Sequence, residues 1–313
     1  MLDADVRKLL DTVFAAPPKA SAPDVTALRA AAEHAPSRFG AAPEPVSRVR
    51  DVVAGSRRGL RVPLRVYDPL PSMQKPLVLF AHGGGWVTGS LDSHDRLCRM
   101  FANRLDAAVV AVGYRCAPEH RYPAALDDVD AAWHWCREEA RALHVDANRM
   151  AVAGDSSGGN LAAALTLRLR TRREAQPLLQ LLFYPALDAR AASPSYDEFA
   201  TGHNLTAAMM RWYWKAYAAD ARHGDSELAP LAAVDCAQLA PALIAWARAD
   251  VLRDDGLAYA RRLETAGVPV RTLECVGMVH GFLRWTGAVP AAVACIEAIC
   301  AAAKPVLHGN ARL

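Results

Sequence analysis

Short, continuous apolar runs recur along the chain and alternate with stretches of helical periodicity. Six such runs are present: Leu77–Ala81, Ala107–Gly113, Met150–Gly154, Leu179–Tyr184, Ala242–Ala247 and Val268–Leu273. A strand that is apolar throughout needs cover on both faces, and helices that cross between parallel strands supply that cover. The sequence therefore predicts an α/β fold built around a mostly parallel sheet.

Two segments near the N-terminus do not follow this alternation of apolar runs and helical stretches. Leu60–Tyr67 alternates apolar and polar residues, which predicts a further strand, and Pro63 places that strand near an edge of the sheet. A short helix is expected to begin near Pro23, and Ala35–Pro45, which is rich in Ala and Pro, is interpreted as a connector.

The segment Asn204–Tyr217 carries aromatic and long apolar side chains on nearly every side. A helix that is apolar all round needs packing partners on two sides. Such a helix is either an ordinary buried helix or a lid, with one face on the sheet and the other towards a ligand, and this pattern alone allows both.

Composition and charge exclude several classes of protein. The 313 residues carry 36 Lys+Arg against 33 Asp+Glu, and the resulting net charge of +3 is too small to hold a nucleic acid. Asp3 and Asp5 stand where a secretory signal would carry positive charge, so we expect a cytoplasmic protein. No apolar run approaches the roughly 18 residues that span a bilayer, so no membrane segment is expected.

The seven cysteines are scattered and include no C-x-x-C pair, which predicts reduced, mostly buried thiols. His94 and Cys98 have helical i, i+4 spacing, but no second pair with zinc-like spacing accompanies them. We therefore expect neither a metal site nor a cofactor.

The most informative motif is Gly-Asp-Ser-Ser-Gly at 154–158, which fits G-x-S-x-G between a predicted strand and a predicted helix. Glycines let a strand turn sharply into a helix, so that the central serine projects from the C-terminal edge of the sheet. Ser156 is the candidate nucleophile. The alternative is a plain glycine-rich turn.

A second motif, His82-Gly-Gly-Gly-Trp86, follows the first predicted strand of the parallel sheet. Successive glycines expose backbone N–H groups that can stabilise negative charge on an acyl oxygen. We assign an oxyanion hole to two N–H groups among Gly83, Gly84 and Gly85, together with the N–H of Ser157. His82 is interpreted as a residue that fixes the loop rather than as a base.

A serine nucleophile needs a base and an orienting carboxylate, which in this architecture follow in the order acid, then histidine. Asp250 comes after the strand at 242–247, and His280 comes after the strand at 268–273. The C-terminal ends of parallel strands meet at one edge of the sheet, where Ser156 is also expected. The sequence therefore predicts a Ser156, His280, Asp250 triad.

These motifs together resemble the hormone-sensitive-lipase-like family of the α/β-hydrolases, which includes many bacterial carboxylesterases. The resemblance rests on H-G-G-G-W, on the run Tyr114-Arg-Cys-Ala-Pro-Glu-His120, on G-D-S-S-G-G, and on D-x-L-R-D and H-G-F around Asp250 and His280. Ser157 departs from the pattern, since the family usually has alanine there.

The resemblance implies an α/β-hydrolase fold, with a mostly parallel eight-stranded sheet flanked by helices and covered by a helical cap. The cap would comprise N-terminal helices in residues 1–45 and an insertion at 189–225. The core would then comprise residues 46–188 and 226–313.

The expected function is hydrolysis of short- to medium-chain acyl esters, which are small molecules, through an acyl-enzyme. Aromatic and apolar side chains could wall the substrate pocket: Trp86, Met209, Met210, Trp212, Trp214, Phe282 and Trp285. An amidase or deacylase of the same fold, or a non-catalytic small-molecule receptor, are the alternatives, although His280 argues against a receptor. The protein is expected to be a monomer or a homodimer, without nucleic-acid or membrane partners.

Overall fold

The computed structural model describes residues 1–13, 23–55, 59–218, 221 and 224–313. Its strands are β1 (Arg48–Gly55), β2 (Arg61–Asp68), β3 (Lys75–Ala81), β4 (Ala108–Val112), β5 (Val145–Asp155), β6 (Leu179–Phe183), β7 (Ala242–Ala249) and β8 (Val270–Val279). Its α-helices are α1 (Ala4–Thr12), α2 (Val25–Phe39), α3 (Asp95–Leu105), α4 (Ala124–Glu138), α5 (Ser157–Thr171), α6 (Pro194–Glu198), α7 (Ala207–Ala218), α8 (Arg253–Thr265) and α9 (Pro290–Leu307).

The strands form one sheet in the order β1-β2-β4-β3-β5-β6-β7-β8. The strand β2 is antiparallel to both of its neighbours, and every pair from β4 onward is parallel. All residues of β3, β4 and β6 are buried. The predicted α/β fold with a mostly parallel eight-stranded sheet is confirmed.

The structure differs from the sequence predictions at the margins of the sheet. The edge strand β1 was not predicted from its own residues, because it is charged and mostly exposed. The strand β2 lies next to the edge strand β1, which confirms its predicted place near an edge, and Pro63 is tolerated because it lies just outside the four residues, 64–67, that pair with β4. The other edge strand, β8, extends to Val279, six residues past its predicted end.

The expected connector at Ala35–Pro45 is wrong for its first five residues, because α2 continues through Pro36 to Phe39. The end of this helix is anchored by the rest of the fold: the Phe39 carbonyl accepts hydrogen bonds from the N–H groups of Gly287 and Ala288. Tertiary contacts thus stabilise a helical turn that proline disfavours.

The two segments expected to form the cap both contact loops at the C-terminal edge of the sheet. In the N-terminal segment, Arg29 of α2 donates to the carbonyls of Val87 and Ala117 at 2.9 and 3.1 Å. In the second segment, which contains α6 and α7, Asn204 Nδ2 donates to the His280 carbonyl at 2.9 Å. Residues 14–22, 219–220 and 222–223 of the predicted cap lie outside the described residues.

Among the described helices, α9 is long and apolar enough to cross a membrane by length and composition, with a mean hydropathy of 1.6. In the structure its buried face, which includes Ile296 and Ile299, packs against α3 and the sheet. This packing is that of a core helix.

A buried carboxyl group joins α8 to the chain that leaves β6. Asp255 Oδ2 accepts from the N–H groups of Leu187 and Asp188 at 2.9 and 3.0 Å, whereas Oδ1 is buried without a partner among the described residues. Burial raises the pKa of Asp255 to about 8, although the two backbone hydrogen bonds lower it. Asp255 is therefore largely protonated in the folded protein near neutral pH.

We expect Asp255 to make stability fall as pH rises. An acid whose pKa is raised by folding binds a proton in the folded state that the unfolded state has lost, so the free energy of unfolding decreases between about pH 4 and pH 8 by up to about 1.4 kcal/mol per pH unit. In Asp255→Asn this loss should be absent, whereas the exposed control Asp197→Asn should behave as wild type. Urea denaturation at several pH values measures the free energy of unfolding. An equal dependence of this free energy on pH in wild type and Asp255→Asn would refute the prediction.

Candidate active site

Ser156 lies on a sharp turn between β5 and α5. Its backbone has φ 56° and ψ −118°, in a region that is strained for a residue with a side chain. The turn is held on both sides, since the Ser156 N–H donates to the Phe183 carbonyl at 2.8 Å and the Ser156 carbonyl accepts from the Asn160 N–H at 3.1 Å. Glycine is needed at position 158, where a Cβ would overlap the Ala81 carbonyl. The turn places the Ser156 hydroxyl at the C-terminal edge of the sheet.

Ser156, His280 and Asp250 form one hydrogen-bonded chain. Ser156 Oγ lies 2.9 Å from His280 Nε2, and His280 Nδ1 lies 2.7 Å from Asp250 Oδ2. Asp250 is fully buried, and its Oδ1 accepts from the Leu252 N–H at 2.9 Å. When Nδ1–H donates to the carboxylate, Nε2 of the neutral ring is free to accept the serine proton.

The glycine loop after β3 lies beside the Ser156 turn. The Gly83 N–H donates to Asp155 Oδ1 at 2.8 Å, so this group is already engaged. The N–H groups of Gly84 and Gly85 make no hydrogen bond to any described residue. Ser157 is the first residue of α5, where an N–H has no partner within the helix. The structure thus removes Gly83 from the expected donors, and Gly84, Gly85 and Ser157 remain.

Asp155 connects the glycine loop to the start of α3. Its Oδ1 accepts from Gly83 and lies 3.2 Å from His94 Nε2. Burial raises the pKa of this carboxyl, but the interaction with His94, the charge of Arg284 and the hydrogen bond from Gly83 outweigh burial and hold it at about 2. Sequence analysis missed this pair, because Asp155 is the variable position of G-x-S-x-G and His94 was considered only as a metal ligand.

His82 packs within the loop. Its ring stacks on Tyr114 with 4.1 Å between ring centroids, and its Nδ1 lies 3.0 Å from the Gly83 carbonyl oxygen. Burial and the charge of His94 lower the pKa of His82 to about 3, so the ring is neutral. These contacts fit a loop-fixing residue.

Most residues expected to wall the substrate pocket are interior. Five have at most 3% of their surface exposed: Trp86, Met210, Trp214, Phe282 and Trp285. Trp86, for example, lies with its ring centroid 4.4 Å from those of both Tyr217 and Trp214. The contacts of Trp86 with Trp214 and Tyr217 pack α7 of the cap against the end of the glycine loop. The place of the five residues in the substrate pocket stays a prediction. Met209 and Trp212 are half-buried on α7.

Tyr213 is an aromatic residue of α7 that sequence analysis did not assign to the site. Its ring lies directly against Gly85, since a Cβ on Gly85 would overlap the ring atoms. Gly85 also has a φ of 61°, so both its conformation and its contact require glycine. Helical spacing was the available signal, because Tyr213 follows Met209 by four positions and shares its face.

All seven cysteines are free thiols. Within the described ranges, no group of three or more His, Cys, Asp or Glu side chains is arranged to hold a metal ion.

Residues 78–284 match a family model described as the α/β hydrolase fold. The chain is 43% identical over 241 residues to an ethyl acetate hydrolase from Pseudomonas putida, covering 75% of this chain and 76% of the relative. It is 39% identical over 270 residues to the carboxylesterase NlhH from Mycobacterium tuberculosis, covering 84% of each chain.

Solved structures give the same result over nearly the whole chain. An ester hydrolase from the metagenome of Lake Arreo matches with a TM-score of 0.92 and 34% identity, over 99% of this chain and 100% of the other. An esterase from Pyrobaculum calidifontis matches with a TM-score of 0.92 and 35% identity, over 99% of each chain. Given this agreement of sequence, fold and site geometry, the chain belongs to the hormone-sensitive-lipase-like family of the α/β-hydrolases and is a carboxylic ester hydrolase.

Proposed function

We propose that the chain hydrolyses short- to medium-chain acyl esters through an acyl-enzyme on Ser156, with His280 as the general base and Asp250 as its orienting carboxylate. The observation that carries the proposal is the hydrogen-bonded chain from Ser156 Oγ through His280 to Asp250. The strained turn at Ser156 supports it, because strain of this kind concentrates at functional sites.

In the first half of the reaction, His280 Nε2 takes the proton of Ser156 as its oxygen attacks the ester carbonyl carbon. The carbonyl oxygen becomes an oxyanion, which accepts hydrogen bonds from the N–H groups of Gly84, Gly85 and Ser157. The imidazolium is stabilised by Asp250 and then donates its proton to the leaving alcohol. The acyl group remains bound to Ser156.

In the second half, water replaces the alcohol. His280 takes a proton from water, the resulting hydroxide attacks the acyl carbon, and the same N–H groups stabilise the second oxyanion. The proton then passes from His280 to Ser156 Oγ as the acid leaves. The proton transfers between Ser156 and His280 use the contact of 2.9 Å between Ser156 Oγ and His280 Nε2.

The narrow approach to Ser156 supports the preference for short acyl chains. Ser156 exposes 6% of its surface, and the ring of Tyr213 lies over Gly85 beside it. Met209 and Trp212, half-buried on the same helix, are proposed as further walls. The relative from Pseudomonas putida named for ethyl acetate hydrolysis is consistent with a small substrate.

Ser156→Ala should lower kcat on p-nitrophenyl butyrate by about 10⁴-fold or more, because the nucleophile is lost. The matched control is Ser37→Ala, which removes an exposed hydroxyl bonded to the His34 carbonyl and should keep wild-type activity. Purified variants are compared by initial rates, with circular dichroism to check folding. Substantial activity in folded Ser156→Ala would rule out this nucleophile.

Turnover of p-nitrophenyl esters should be highest between acetate and hexanoate and fall towards palmitate. Tyr213→Ala removes the ring over Gly85 and should raise the rate on longer chains relative to butyrate. The control is Lys215→Ala, on the exposed side of the same helix. A wild type that cleaves palmitate faster than butyrate would contradict the proposed pocket.

Activity should fall on acidification, because a protonated His280 cannot accept the Ser156 proton. A pH–rate profile from pH 5 to pH 9 tests His280 as the base, and a flat profile would argue against it.

Asp250→Asn should lower kcat by about 10⁴-fold with the fold intact, since an amide no longer holds the required tautomer of His280.

A further inference from the structure

The cation nearest in sequence to the triad histidine has no hydrogen-bond or ion-pair partner among the described residues. Arg284 follows His280 by four positions and ends a 3-10 turn. Its guanidinium makes no hydrogen bond or ion pair with any residue that the structure describes, and its Nε is buried. By contrast, Arg65, Arg104 and Arg168 each pair with two or more carboxylates. An N–H buried without an acceptor costs free energy, so an acceptor from outside the described residues would stabilise Arg284 Nε.

A second donor points to the same space. Gly281 has a φ of 79°, and apart from Gly281 and its two chain neighbours only two atoms of the described residues lie within 4 Å of the position of its missing Cβ: Asn204 Nδ2 at 3.5 Å and an Arg284 terminal nitrogen at 3.9 Å. Asn204 Nδ2 gives one hydrogen to the His280 carbonyl at 2.9 Å and keeps its second. The space over Gly281 is thus bordered by two N–H donors.

The acids of the site are hydrogen-bonded to groups other than Arg284, although the charge of Arg284 also lowers the pKa of Asp155. Asp250 is paired with His280, and Asp155 accepts from Gly83 and faces His94. The positive charge of Arg284 nevertheless reaches the site. Burial raises the pKa of Tyr213, which lies over the glycine loop, and Arg284 partly opposes this rise. The charge of an anion bound beside Arg284 would therefore act on Tyr213 and on Asp155, the residue before Ser156.

We propose that Asn204 and Arg284 form a subsite over Gly281 for a carboxylate carried on the alcohol part of the ester. The inference rests on the proposed function, in which the alcohol leaves towards His280, the neighbour of Gly281. The two oxygens of a carboxylate can accept from both donors at once, and charge-assisted hydrogen bonds to arginine are strong. The substrates of this class are acyl esters of hydroxy acids.

Two isosteric substrates test the subsite: the acetate ester of γ-hydroxybutyrate and the same ester with its carboxylate replaced by a primary amide. The measured quantity is the ratio of kcat/KM for the carboxylate over that for the amide. Arg284→Gln should lower this ratio about tenfold to a hundredfold, and Arg284→Lys should retain part of it. The control Arg141→Gln removes an exposed charge near the start of β5, at the other end of that strand from Ser156, and should leave the ratio unchanged.

A measurement on wild type avoids any dependence on variant folding. The ratio should fall when NaCl is raised from about 0.05 M to about 0.5 M, because salt screens a partly exposed charge pair. A ratio that is unaffected by salt and within twofold of wild type in Arg284→Gln would overturn the subsite. In that case turnover of p-nitrophenyl acetate would still support the proposed esterase, whereas its absence in wild type would overturn both.

Discussion

The close approach of α5 to β3 and β5 at the Ser156 turn is the constraint on which the rest of the site depends. At Gly158 the helix touches the Ala81 carbonyl so closely that no side chain fits between them. Ala81 is the last residue of β3 and pairs in register with Gly154, so the loop that follows β3 must start beside the nucleophile. One backbone contact therefore fixes both the serine and its nearest N–H donors.

Two buried carboxylates lie near that turn, and each interacts with different partners. Asp250 holds the imidazole of His280, whereas Asp155, which directly precedes the nucleophile, holds the Gly83 N–H and faces His94. Because each carboxylate already has its own partners, neither needs to reorganise when negative charge develops on a substrate. Stabilisation by groups that are already oriented is the main source of catalytic power in sites of this kind.

The sequence predicts those features of the structure that follow from the path of the backbone. Strands that are apolar throughout, and the glycines that follow them, predicted the sheet and the places of Ser156, Asp250 and His280, because parallel strands all end at one edge. The edge strand β1, the last turn of α2 and the contact of Tyr213 with Gly85 were missed. The strand β1 was missed because its residues are charged and mostly exposed. The last turn of α2 and the contact of Tyr213 each depend on a partner distant in the chain, and local periodicity does not identify that partner.

The groups near the site also differ in which part of the fold holds them, the cap segment or the edge of the sheet. Tyr213 and Asn204 reach the site from the cap segment, so their distance from Ser156 changes with any movement of that segment. Arg284 lies instead on the turn after β8, where the Arg284 N–H donates to the Gly281 carbonyl at 3.2 Å. Its separation from His280 is set by the same backbone that positions the base. A charge held in this way would select among substrates in every position of the cap.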